Sequence, residues 1–206
     1  MNVEKAIRNL ELRGFGVKHF ASAQEAADYL TGAIKNCSVG IGGSQTIDAL
    51  GIYDTLTESC EVYWHWKTPG VQTQAASTDV YLSSANAISE DGEILNIDGT
   101  GNRTASLMFG HKKVYIVAGT NKICPDFESA LYRARNVAAV QNCRRFPDKN
   151  TPCKIDGKCH DCRSRDRICN ALEVLWGPMN RMETEIVLID GDYGICLLYT
   201  SPSPRD

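Results

Sequence analysis

Apolar positions along the chain fall into short runs of two kinds, spaced for helices or for strands. Val3, Ala6, Ile7 and Leu10 share one helical face, so residues 2–13 predict an amphipathic helix that Gly14 stops. Residues 15–20 read as a short strand. Ser22, with Glu25 three residues later, makes a capping box and predicts a helix to about Lys35. Ser38–Ile41 is a short apolar strand broken by Gly42-Gly43. Ser44 then caps a short helix that Gly51 ends. Glu61–Trp64 and Asp79–Leu82 are further strands. Residues 88–97 predict a hairpin with Asp91-Gly92 as its tight turn. Asn102–Phe109 reads as helix and Val114–Ala118 as strand. Pro125 suits the first turn of a helix running to about Asn142. Residues 143–170 are basic, cysteine-rich and irregular, and Glu185–Ile189 is the last strand.

This alternation predicts an α/β fold: a mostly parallel sheet with helices on both faces. One Asp-Gly hairpin and a cysteine-rich insertion at 143–170, before the last strand, complete the expectation for a single domain over residues 1–195. Of the 206 residues, 43% are hydrophobic, enough for a real core. The net charge of −3 argues against a protein that coats nucleic acid or an acidic membrane. No apolar run approaches the ~20 residues that span a bilayer. The first residues lack the apolar middle of a signal peptide, so the expected location is cytoplasmic. Residues 196–206 (CLLYTSPSPRD) match nothing upstream in character. One back-translation resembles a transposase adapter from sequencing-library preparation. The expectation is that this segment is not native, that the native C-terminus is missing, and that Cys196 says nothing about metal.

Four polar, glycine-rich loops each follow a predicted strand: Gly40–Thr46, Ser83–Asn86, Asp98–Arg103 and Gly119–Lys122. Ligands of open α/β sheets bind beyond the carboxyl ends of the strands, so the loops are expected to share one edge. Gly42, Gly43, Gly99 and Gly101 would let backbone N–H groups approach a ligand. Ser44, Asn86, Thr100, Asn102 and Asn121 add neutral donors. Arg103 and Lys122 add positive charge, and Asp98 is the one carboxylate. Helices opening after Ser44 and Gly101 would favour an anion at their N-termini. The set suits an anionic small molecule: an organic acid, a sugar phosphate or a coenzyme A ester. Gly40–Ser44 has neither the Walker loop's Gly-Lys-Ser/Thr nor the dinucleotide G-x-G-x-x-G spacing. No Ser-His-Asp or Cys-His set is visible, and no catalytic residue is assigned. Trp64-His65-Trp66 suits either a pocket wall or the aromatic end of a buried strand. His19 and His111 lie near element ends.

The segments GIGGSQTIDALGI, SSANAISEDGEILNIDGTGNRTASLMFG and KVYIVAGTNKI resemble the core of the LUD domain (lactate utilisation, DUF162-type). The resemblance runs from about residue 3 to residue 195. It implies a fold similar to ribose-5-phosphate isomerase and the coenzyme A transferases. It also implies a role in lactate-type organic-acid metabolism, in some members as a subunit of an iron–sulfur oxidoreductase complex. The catalytic glutamate of the coenzyme A transferases has no motif-matched counterpart here.

Nine cysteines are many for a chain expected in a reducing compartment, where metal binding or catalysis is the commoner use. Four are Cys153, Cys159, Cys162 and Cys169. Their C-x5-C-x2-C-x6-C spacing contains one metal-knuckle pair, and the set could close a zinc site or hold a [4Fe–4S] cluster. Lys154, Lys158, Arg163, Arg165 and Arg167 would offset thiolate charge. The loop resembles a GKCxDCxSPDRIC segment of some LUD proteins, with Arg165 where that segment has proline. Four reduced thiols in a loop that folds without metal is the alternative. Cys37, Cys60, Cys124 and Cys143 read as small buried hydrophobes. Three functions therefore stand open: an enzyme or enzyme subunit, a non-catalytic ligand-binding or regulatory module, and a metal-cluster electron-transfer accessory protein.

Overall fold

A computed structural model of the chain describes residues 1–195. The segment read as adapter-encoded, 196–206, lies outside them.

Local signals decide most boundaries. Helix α1 (Val3–Leu12) starts on Asn2, whose side chain accepts from the Lys5 amide at 2.9 Å. Its apolar face buries Ala6 and Leu10. Strand β1 is Gly16–Phe20. Helix α2 (Ala23–Ala33) opens with both halves of the capping box: Ser22 accepts from Glu25 N, and Glu25 accepts from Ser22 N. Such a cap is worth roughly 1 kcal/mol. Strand β2 (Ser38–Ile41) leads to α3 (Gln45–Leu50), which ends on Gly51 at a left-handed φ of 65°. Then come α4 (Tyr53–Thr57), β3 (Glu61–Trp64), α5 (Gln72–Ala75) and β4 (Val80–Ser83). The hairpin is β5 (Ala87–Ser89) and β6 (Ile94–Asp98), with Gly92 at φ 88° in its turn. Helix α6 (Asn102–Met108), β7 (Lys113–Gly119) and β8 (Ile123–Cys124) follow. Helix α7 (Phe127–Tyr132) runs through a π-helical stretch, Arg133–Ala138, into α8 (Ala139–Arg144). The last elements are α9 (Pro152–Asp156), β9 (Ala171–Leu175) and β10 (Glu183–Ile189).

The expected parallel sheet is present. Six strands in the order β1-β10-β7-β4-β2-β3 pair in parallel throughout. Its middle strands are buried on both sides, as Leu82, Ile116, Val117, Ile186 and Val187 show. One face packs on α2, α3 and α4 through Leu30, Ile47 and Leu56. The other packs on α1, α5 and α6 and on a second sheet. That second sheet, β8-β5-β6-β9, was not anticipated. The hairpin belongs to it rather than to the parallel sheet. Its far side packs on α7 and the π stretch through Leu95, Ala130 and Ala134.

The cysteine-rich insertion precedes the last strand, and between them lies β9, which pairs antiparallel with β6. Two smaller expectations need correction. Pro125 is not in the first turn of α7. Asp126 caps that helix, accepting from Ser129 N at 2.7 Å, and the proline stands just outside it. The helix to Asn142 is not regular α-helix throughout but contains the π stretch. Among the described residues, no helix is long and apolar enough to cross a membrane.

Candidate functional site

The loops after β2, β4 and β7 meet at the carboxyl edge of the parallel sheet. Lys122 ties them together, its Nζ donating to Thr46 Oγ1 at 2.9 Å and to Ser84 Oγ at 2.7 Å. Ser84 Oγ also donates to Thr46 Oγ1 at 3.2 Å. The Asp98–Arg103 loop comes from the second sheet and reaches the same edge through Asn86. Asn86 Oδ1 accepts from Ile97 N at 2.7 Å and from Arg103 Nη2 at 3.1 Å.

Two adjoining cavities open there. The larger, about 460 Å³, is lined by Gly43, Gln45, His65, Trp66, Asn86, Asp98, Gly99, Thr100, Asn102 and Arg103. The helix side adds Asn142 and Arg145, and the cysteine-rich segment adds Lys149, Arg167 and Cys169. A recess of about 40 Å³ is lined by Ser44, Thr46, Ser84, Lys122 and Arg133, and shares Gly43, Asn86 and Arg103 with the larger cavity. Of the expected residues, Gly42, Gly101 and Asn121 line neither. Gly42 lies under the Tyr81 hydroxyl, 3.0 Å from where its Cβ would stand. Gly101, at φ 86°, opens α6. Asn121 holds Tyr193 N at 3.4 Å.

Several expected residues work partly for the fold. Ser44 Oγ accepts from Ile47 N at 3.2 Å and so caps α3. Helices α3 and α6 are six and seven residues long, too short for a full macrodipole. A Cβ on Gly99 would stand 2.5 Å from Ile168 O, so this glycine admits the cysteine-rich backbone. Lys122 is only 4% exposed. Its buried bonds to Thr46 and Ser84 make it a fastening of three loops. Lys122→Ala is therefore expected to lower stability by about 1–3 kcal/mol, checked by urea unfolding.

The electrostatics favour an anion. Arg103, Arg145, Lys149 and Arg167 outnumber Asp98 around the larger cavity. Burial pushes the Asp98 carboxyl up. Bonds from Gly101 and Thr100 and the charge of Arg103 outweigh this and hold it below the usual carboxylate range. Asp98 is thus ionised and already paired with Arg103, 3.5 Å away. Arg145 lies over the Trp66 ring at 4.9 Å. Trp64 is the buried strand end, donating to Gly42 O at 3.1 Å, while His65 and Trp66 wall the cavity. Burial lowers the His65 pKa, so its imidazole is neutral at pH 7 and able to accept a proton. Its Nδ1 is buried with no hydrogen-bond partner among the described residues. His19 bonds Asp190 and His111 bonds Thr78 O, each at 2.7 Å. Neither lines the cavities.

Arg133 was missed. It is 8% exposed, and Nη1 donates to Asn86 O. Nη2 is buried with no partner among the described residues. Its signal was an arginine on the small-residue face of Ala130, Ala134 and Ala138. The π stretch that it opens is one extra residue in the turn, a feature common near functional sites.

Cys153, Cys159, Cys162 and Cys169 line a third, mostly apolar cavity together with Cys143. None of the five is in a disulfide. Among the described residues, no three His, Cys, Asp or Glu side chains are grouped to hold a metal ion. Cys143 is buried, as is Cys124, while Cys37 and Cys60 are partly buried.

A solved DUF162 family protein from Deinococcus radiodurans is similar in fold, with a TM-score of 0.56 over 92% of this chain and 99% of that one at 15% identity. A partial likeness to eIF2B beta from Chaetomium thermophilum has a TM-score of 0.31 at 16% identity, over 61% of this chain and 44% of that one. No match was found among curated proteins. The LUD domain model matches residues 3–189, spanning both sheets and every loop of the two cavities up to that point, and the chain belongs to the LUD domain family.

Proposed function

We propose that this LUD-domain chain binds an anionic small molecule in the paired cavities and acts as an enzyme or enzyme subunit of lactate-type organic-acid metabolism. The observation that carries the reading is Arg133. A buried guanidinium with an unpaired N–H group is costly to keep unless something pairs with it. The recess it lines offers Lys122 and Arg103 as well, which together suit one carboxylate or phosphate group. The larger cavity is roomy enough for the rest of an organic acid, a sugar phosphate or a coenzyme A ester. His65 is the candidate proton acceptor.

The test is calorimetry against a panel of hydroxy acids, keto acids, sugar phosphates and coenzyme A esters. At least one anion is expected to bind, and its neutral amide or alcohol analogue is expected not to. Arg133→Met keeps the bulk of the side chain and removes its charge. It is expected to weaken the bound anion about 10- to 100-fold, the worth of a charged hydrogen bond. Equal affinity of the variant and the parent would overturn the assignment.

A further inference from the structure

We infer that the larger cavity carries a second anion subsite, built on Arg145 and Lys149, so that the ligand is a small molecule with an anionic group at each end; this step rests on the anion-binding reading of the paired cavities. Lys122 and Arg133 line the recess and not the larger cavity. Arg145, Lys149 and Arg167 line the larger cavity and not the recess. Arg103, common to both, is already paired with Asp98. Among the described residues, Asp98 is the one carboxylate that lines either cavity. A single anion seated in the recess would answer Lys122 and Arg133 and leave the cations of the other wall without a counter-charge.

Arg145 is held ready for such a group. It stands at the end of α8, where a cation ordinarily bonds the last carbonyl groups. Its Nη1 instead donates to Asn142 Oδ1 at 3.2 Å, and its guanidinium lies over the Trp66 ring at 4.9 Å. Trp66 in turn stacks on the buried Trp64, with ring centroids 5.7 Å apart. The cation therefore rests on a rigid aromatic base, which lowers the entropy it loses when a ligand binds. Among the described residues it has no carboxylate partner. Its planar fork matches a carboxylate or a phosphate. Lys149 lies in the turn that follows. That turn is fixed by Lys149 N donating to Phe146 O at 3.2 Å and by Lys154 Nζ donating to the same oxygen at 2.7 Å. The Lys149 ammonium is 3.7 Å from the exposed carboxylate of Asp148, a pairing of little worth in water. Arg167 adds fixed charge more than a donor, since its guanidinium already bonds Asp161 at 3.2 Å, Cys162 O at 2.8 Å and Cys169 O at 2.9 Å.

Two anionic groups a short chain apart satisfy both walls. Dicarboxylic acids and phosphorylated hydroxy acids share this chemistry, and about 460 Å³ is room for either. A hydroxy acid with one carboxylate lacks the second charge and is expected to bind more weakly than its two-charge counterpart.

The test is calorimetry on the full chain with matched probes: butanoate against butanedioate, and glycerol phosphate against phosphoglycerate. In at least one pair the two-charge member is expected to bind about tenfold tighter or more, the worth of one added charged hydrogen bond. The pair that shows the gain separates the dicarboxylic from the phosphorylated class. Arg145→Gln and Lys149→Met are each expected to remove most of that gain and to leave the one-charge member unchanged. Arg145 is exposed and Lys149 half-buried, so neither substitution empties the core. Arg133→Met is expected to weaken both members. Equal affinities within both pairs would overturn the second subsite and leave the anion reading standing. So would binding of none of the four probes while another anion binds. Arg145→Gln weakening both members of a pair alike would reveal a diffuse field instead of a contact and would also overturn it. A chain that binds no anion of any kind would sink both readings together.

Discussion

Gly40→Ala is expected to destabilise the protein by about 3 kcal/mol or more, enough to leave most of the expressed chain insoluble. Gly40 lies within β2, between β4 and β3 in the parallel sheet. A methyl group there would overlap the carbonyl oxygen of Ala75 at the end of α5. It would also stand 2.8 Å from Thr78 Oγ1 and from the Tyr81 ring. The backbone oxygen cannot swing aside as a flexible side chain can, so either α5 lifts off the sheet or β2 shifts. Both movements disturb the Gly42–Thr46 loop that follows. A control separates this from a general effect of losing glycine. Gly32 sits inside α2 with open space where its Cβ would be. Gly32→Ala is expected to stabilise by roughly 0.5–1 kcal/mol through helix propensity. Urea unfolding of both variants checks the pair, and a Gly40→Ala midpoint equal to that of the parent would contradict the packing argument.

Gly40 also shows which parts of the molecule were legible beforehand. The glycine-rich stretch around it was read as a ligand loop. Its first glycine instead serves helix-on-sheet packing, while Gly43, four residues before Ile47, faces the cavities. Both uses demand the same residue, so spacing alone could not divide them. Boundaries set by local chemistry were readable. Ser22 with Glu25, Ser44, Gly51 and Asp91-Gly92 each declare a cap or a turn within a few residues. The second sheet was not readable in the same way. Its β6–β9 pairing joins Ile94–Asp98 to Ala171–Leu175 across more than 70 residues. The first two positions of β9 are exposed, so no alternating pattern marks it. The candidate site divides along the same line. The four loops stood out because glycine, serine and asparagine cluster after apolar runs. Arg133 sits on a helix, and its burial depends on the π stretch and on Asn86 from a distant loop. Lys122 was visible, but its bonds to Thr46 and Ser84 are a product of topology.

Glu173→Gln is expected to change stability little at pH 5 and to raise it by roughly 2–3 kcal/mol at pH 8. Glu173 on β9 stands opposite Asn96 on β6, and both are buried. Asn96 Nδ2 donates to Glu173 Oε2 at 3.1 Å. Glu173 Oε1 and Asn96 Oδ1 have no hydrogen-bond partner among the described residues. A proton on the carboxyl would supply the donor that these two oxygens lack. Burial is the main force here. It lifts the carboxyl from the ordinary 4.5 to about 7, against the opposing pull of Asn96 and Arg103. The sign follows from proton binding. The folded state holds this proton up to about pH 7, while the unfolded chain releases it near 4.5. Folding therefore keeps its full stability below pH 4.5, loses part of it as pH rises toward 7, and bears the whole penalty above that. Glutamine matches the neutral acid in shape and cannot ionise, so it removes the penalty and leaves the low-pH state alone. Thermal or urea unfolding of parent and variant at pH 5 and pH 8 measures the difference directly. A gap of the same size at both pH values would mean that Glu173 is already ionised in the fold, with its charge stabilised by Arg103 rather than suppressed by burial.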